Sequence, residues 1–241
     1  MRLEPMPLPQ RISLPVPMRP QPDGRSCGPT SLQAVYAYYG DALSVHEIIE
    51  DIPQLETGGT LAVQLGSHAL GRGYDAEIYT LNLQLFDPTW FREPGPDLAE
   101  RLRAQAAHKA DDAKLVHATE QYLEFLALGG TVRLEVLDAA LVHRLLAAGS
   151  PVLTGLSATF LYDEAREHGD DDRPDDVRGE PTGHFVVLCG YDSSSRTVEV
   201  ADPWPFDDGQ RHELAFDRLA CAILLGVLTY DANLLVLHPR S

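Results

Sequence analysis

Helix-type segments crowd the first part of this 241-residue chain and strand-type segments its last part. That order most constrains the fold. It is an α+β pattern, with helices segregated from a largely antiparallel sheet. Leu32, Val35, Tyr36 and Tyr39 recur at helical spacing after Cys27, with Pro29 in the first turn and Gly40 as a stop. Ser44 with Glu47 three residues on predicts a capped helix through Ile49. Further helices are expected from Thr60 to Leu70, over 96–109 and 112–128, and from Asp138 to Ala148. Strands are expected over 76–81, 132–136, 151–157, 184–191, 196–201, 223–230 and 233–237, with a short helix near 215–221. Residues 1–20 carry six prolines and read as an extended arm. Residues 21–241 read as one domain with a helical insertion at about 96–128. Nine acids against three arginines over 163–180 predict an exposed, mobile acidic loop.

Composition closes several routes. Formal net charge is −17, and the chain has only two lysines, Lys109 and Lys114. Nucleic acid and anionic membranes are therefore not expected partners, since phosphate binding needs clustered cations. No apolar run approaches the roughly 18 residues of a membrane span, and the N-terminus lacks a signal-peptide core. Three cysteines cannot all pair within one chain, so free thiols and a cytoplasmic location are expected. No Cys-x-x-Cys, His-Glu-x-x-His or phosphate-loop pattern occurs, so no metal or cofactor is expected.

The chemistry concentrates in three short segments. Cys27 stands at a predicted helix start, where the helix dipole favours a thiolate. Cys189 and Cys221 lie within apolar runs and read as inert core residues. His184 opens the run Phe-Val-Val-Leu, so it can face a cleft while its strand is buried. It would take the thiol proton and return it to a leaving group. Asp202 closes the next strand, placed to orient the imidazole. Gln21, six residues before Cys27, would donate to an oxyanion. Gly183 and Trp204, neighbours of His184 and Asp202, are candidate substrate-binding positions.

These residues resemble the papain-like cysteine peptidases. They look most like the bacteriocin-processing, double-glycine leader peptidases and their stand-alone relatives. The matching segments are Gln21 to Pro29 with the Tyr38-Tyr39-Gly40 helix end, Gly183 to Val187 with Gly190-Tyr191, and Asp202-Pro203. The resemblance implies a papain-like fold with a nucleophile helix in an N-terminal helical half and a C-terminal antiparallel sheet. It implies a Cys27 acyl-enzyme that hydrolyses a peptide bond in a peptide or small protein. The acidic loop just before His184 would favour basic substrates or act as a lid. Two other uses of the same residues stay open: acyl transfer to an amine or thiol, and a non-catalytic papain-fold binding protein.

Overall fold

The computed structural model describes residues 8–53, 59–169, 172–205, 209–226 and 232–240. Eight helices and ten strands follow in the order β1 (Arg11–Ser13), α1 (Cys27–Tyr38), α2 (Val45–Asp51), α3 (Ala62–Gly71), β2 (Tyr74–Thr80), α4 (Leu98–His108), α5 (Ala113–Ala127), β3 (Thr131–Arg133), α6 (Ala139–Ala147), β4 (Val152–Ser157), α7 (Ala158–Tyr162), β5 (Glu167–His168), β6 (Arg173–Pro174), β7 (Gly183–Asp192), β8 (Thr197–Ala201), β9 (Arg211–Ala215), α8 (Phe216–Leu225) and β10 (Asn233–Pro239), among the described residues. A one-turn 3₁₀ helix, Pro88–Phe91, precedes α4.

Strands β3-β2-β10-β4-β7-β8-β9 form one sheet, antiparallel except for the β2–β3 pair. The strand β7 organises it. One edge of β7 pairs with β4 from Gly183 to Leu188 and then with β1 from Gly190 to Asp192; the other pairs with β8 from Val187 onward. Alternate residues of β7 point to opposite faces. Phe185, Val187 and Cys189 join the core under α1, α3 and α5, while Val186 and Leu188 join the core under α6 and α8. Burying each large aliphatic side chain on these faces contributes roughly 2 kcal/mol. Both faces being covered explains why β7 reads as a continuous apolar run.

Helix starts follow local chemistry. Ser44 and Glu47 form the expected capping box at α2. Asp97, Asp112 and Asp138 each accept a backbone N–H in the first turn of α4, α5 and α6. The α4–α5 pair contributes Leu102, Leu115, Tyr122 and Phe125 to the core shared with α1 and α3. A Cβ on Gly66 of α3 would lie 2.8 Å from the Phe125 ring, so α5 sits directly on α3.

Several expectations change. The apolar run from Cys221 is helix through Leu225, because Phe216, Leu219, Ala222 and Ile223 turn to the core at helical spacing. Residues 227–231 lie outside the described residues. On that helix Cys221 faces outward and is exposed, not a core residue; Cys189 is buried as expected. Strands β1 and β9 and helix α7 are additions to the sequence reading. Within 163–180, β5 and β6 pair as a small hairpin, and Glu167 and Glu180 exchange backbone hydrogen bonds at 3.1 and 2.8 Å. Asp175 accepts from the N–H groups of Val177 and Arg178. The described part of this acidic segment is thus hydrogen-bonded structure, although residues 170–171 lie outside it. The arm contributes β1 and the buried Val16, and Arg211 donates to the carbonyls of Leu14 and Val16; residues 1–7 lie outside the described residues.

Candidate active site

The site forms where the start of α1 meets the start of β7. Cys27 is the first residue of α1 and half-buried. The turn before it is tied by Asp23, which accepts from Arg25 N at 2.8 Å and Ser26 Oγ at 2.7 Å. Those donors hold the Asp23 carboxyl below its ordinary range. Ser26 therefore spends its hydroxyl on Asp23 and does not cap the helix. The first intrahelical bond of this turn has Thr30 N as its donor and Ser26 O as its acceptor, so the N–H groups of Cys27 and Gly28 have no partner within the helix. One turn on, Ser31 Oγ donates to Phe185 O at 3.1 Å. That bond fastens α1 to the residue after His184. Gly28 permits the approach of the Thr60 segment: a Cβ there would meet Thr60 Oγ1 at 2.4 Å.

His184 is 5% exposed. Its Nε2 lies 2.8 Å from Asp202 Oδ1, and Cys27 lies near enough to its ring to act on its charge. With Nε2 engaged by the carboxylate, Nδ1 is the nitrogen that serves the thiol. Burial alone would push the imidazole down; the hydrogen-bonded Asp202 carboxylate and the neighbouring Cys27 outweigh it and hold it at about 10. Asp202 is fully buried. Burial disfavours its charge, but hydrogen bonds from His184, the Tyr162 hydroxyl and Trp204 N keep the carboxyl below its ordinary range. Two aromatic rings flank the imidazole: Trp204 edge-on at 6.0 Å and Tyr162 at 6.5 Å between centroids.

Gln21 lies beside this group. Its backbone N–H donates to Pro203 O at 2.8 Å, which pins it to the turn after Asp202. One hydrogen of its side-chain amide goes to Asp23 O at 2.7 Å. A primary amide has two hydrogens, so one remains. Gly183 and Trp204 line a cleft with His184 and Tyr162, and Trp204 is 41% exposed. Glu164, Glu167 and Asp172 form the acidic wall of that cleft.

The six residues singled out in the sequence thus fall in one neighbourhood. Sequence reasoning missed Ser31, Tyr162 and the identity of the acidic wall. Ser31 was readable in principle, one helical turn from Cys27. Tyr162 carried no signal, since it reaches Asp202 only through the fold-back of α7. Among the described residues no group of His, Cys, Asp or Glu is arranged to hold a metal ion, and no helix is long and apolar enough to cross a membrane.

A helix-borne thiol beside an imidazole on a central antiparallel strand is the papain-like α+β fold. The model of the Peptidase_C39 like family matches residues 97–222. The chain belongs to the Peptidase_C39 like family and is a cysteine-peptidase-like hydrolase. The matched residues include α4 and α5, His184 and Asp202; Gln21 and Cys27 precede them. Among solved structures, the chain is similar to a protein from Bacillus anthracis assigned as a C39-like peptidase. The TM-score is 0.54 at 16% identity, over 97% of this chain and 100% of that one. It is also similar to xylellain, a cysteine protease from Xylella fastidiosa, with TM-score 0.46 and 14% identity over 98% and 88% of the two chains. A third similarity is to a double glycine motif protease from an AMS/PCAT transporter, solved in complex with the leader peptide. There the TM-score is 0.43 and the identity 14%, over 95% and 94%. No curated protein matches the chain by sequence.

Proposed function

We propose that this protein hydrolyses peptide bonds through an acyl-enzyme on Cys27, with His184 as general base and acid, Asp202 as its orienting carboxylate and Gln21 as an oxyanion donor. The single observation that carries the reading is Cys27 at the start of α1 beside His184, whose Nε2 is hydrogen-bonded to a fully buried Asp202. His184, held charged at working pH, already carries the thiol's proton on Nδ1, and Sγ attacks the carbonyl carbon. The carbonyl electron pair moves to oxygen, where the remaining Gln21 amide hydrogen and an early α1 N–H donate. Collapse expels the amine, which takes the proton from His184, and leaves a thioester. Water, deprotonated by His184, attacks the thioester and releases the acid and the thiol.

The family supports a peptide as substrate. Gly183 and Trp204 form part of the wall that would hold it, and Glu164, Glu167 and Asp172 make that wall acidic, which favours a basic residue near the cleaved bond. Three free cysteines suit a reducing cytoplasm. Iodoacetamide labelling of Cys27 from pH 4 to 9, read by mass spectrometry, tests the site. Fast labelling at mildly acidic pH, abolished by His184→Ala, is the expected result. Labelling that rises only near pH 8.5 and ignores His184 would move the assignment to a non-catalytic papain-fold protein. A peptide library should then show cleavage enriched beside Lys and Arg.

A further inference from the structure

Asp202 has two carboxylate oxygens, and the imidazole uses only one. Oδ1 accepts from His184 Nε2 and from Trp204 N, each at 2.8 Å. Oδ2 accepts from the phenol of Tyr162. The carboxylate is sealed from water, so a lost donor there is not replaced. Tyr162 is itself firmly held. It ends α7, whose first turn is capped by Ser157 Oγ, and Asp163 adopts a left-handed conformation (φ 60°) that closes the helix. From α8, Arg218 donates to Leu161 O at 2.9 Å and Phe160 O at 2.7 Å, and its guanidinium stacks over the Phe160 ring. The phenol thus stands at the end of a braced turn whose other neighbour is the cleft wall.

We propose that Tyr162 is a positioning residue that fixes the Asp202 carboxylate, so that the imidazole stays aligned on Cys27. The inference rests on the thiol-site reading above. The charged and titratable groups facing this pair are His184 on β7, Cys27 on α1 beyond it, and Glu164 just after α7. The Tyr162 hydroxyl lowers the Asp202 carboxyl, whereas burial and the Asp202 charge push its own phenol upward, so it stays a donor at all working pH. Removing the hydroxyl lets Asp202 take a proton at higher pH. His184 then loses its acceptor, and the acid limb of Cys27 reactivity moves upward in pH.

The test is the pH profile of Cys27 alkylation by iodoacetamide in the full chain. The variants are Tyr162→Phe, Asp202→Asn, the pair together and His184→Ala, each with its melting temperature. Tyr162→Phe keeps the ring and should stay folded, melting only a few degrees below wild type. Its acid limb should rise by about one pH unit, and its rate on the acid side should fall roughly tenfold. In the Asp202→Asn background the same substitution should change the rate less than about twofold, because the group it acts through is gone. An unmoved acid limb, or losses that simply add, would overturn the role of Tyr162 while leaving the thiol site intact. A wild-type profile with no limb dependent on His184 would bring down both.

Discussion

Gln21 separates two things a thiol hydrolase must do. Its amide is anchored to Asp23 O and its backbone to Pro203 O, and no side-chain hydrogen bond joins it to His184 or Asp202 among the described residues. If its second amide hydrogen serves the oxyanion, Gln21→Ala should lower kcat/KM on a cleaved peptide by about 10²–10³-fold. Alkylation of Cys27, which forms no oxyanion, should change little. Equal losses in both assays would mean that Gln21 instead shapes the turn before α1. At this scale the sequence was most legible. Cys27, His184 and Asp202 each sit at the end of an element, and element ends are where a side chain can leave a buried scaffold. Tyr162 was illegible for the same physical reason that it is useful. Its partner is 40 residues away, and only the turn of α7 brings the two together.

At the scale of elements, α1 and the segment entering α3 meet closely at Gly28, beside the site. Thr60 Oγ1 is buried without a hydrogen-bond partner among the described residues and fills the space a Gly28 side chain would need. Gly28→Ala should destabilise the protein by about 1–3 kcal/mol, measured by urea unfolding, and slow Cys27 labelling by displacing the helix start. Thr60→Ala in the same chain should recover most of both losses. A double variant no better than Gly28→Ala would locate the strain elsewhere. Element types were easy to read where caps spoke, as at Ser44, Asp97 and Asp138. They failed at 223–225, read as the start of a strand, where the helix expected near 215–221 in fact continues and a dense apolar run hides its helical period behind the exposed Cys221, Leu224 and Leu225. They failed again at β9, whose alternation is made by charged and polar residues on a sheet edge.

For the whole molecule, the buried pair links stability to pH. The His184 imidazole is raised from 6.5 to about 10, so its contribution is complete below 6.5 and is lost as pH rises through about 10. The Asp202 carboxyl is lowered from 3.8, so its contribution is present above 3.8 and is lost on further acidification. Both act together between about 4 and 6.5. The melting-temperature gap between wild type and His184→Ala should be widest in that window and close steadily toward pH 10. A gap that stays constant from pH 5 to 10 would show that the folded protein does not hold the imidazole in its charged form.

The pairing of β1 with β7, and of Gln21 with Pro203, also sets a schedule for biosynthesis. Asp202 is made 175 residues after Cys27. At about 5–20 residues per second, the thiol leaves the ribosome roughly 9 to 35 s ahead of Asp202, which is proposed to help arm it. The nascent chain therefore carries an ordinary cysteine, and the amino-terminal strand waits for a partner that is not yet translated. On the proposed reading, cleavage requires the last third of the chain to have closed the sheet, so neighbouring nascent chains meet the thiol before it is paired with His184 and Asp202.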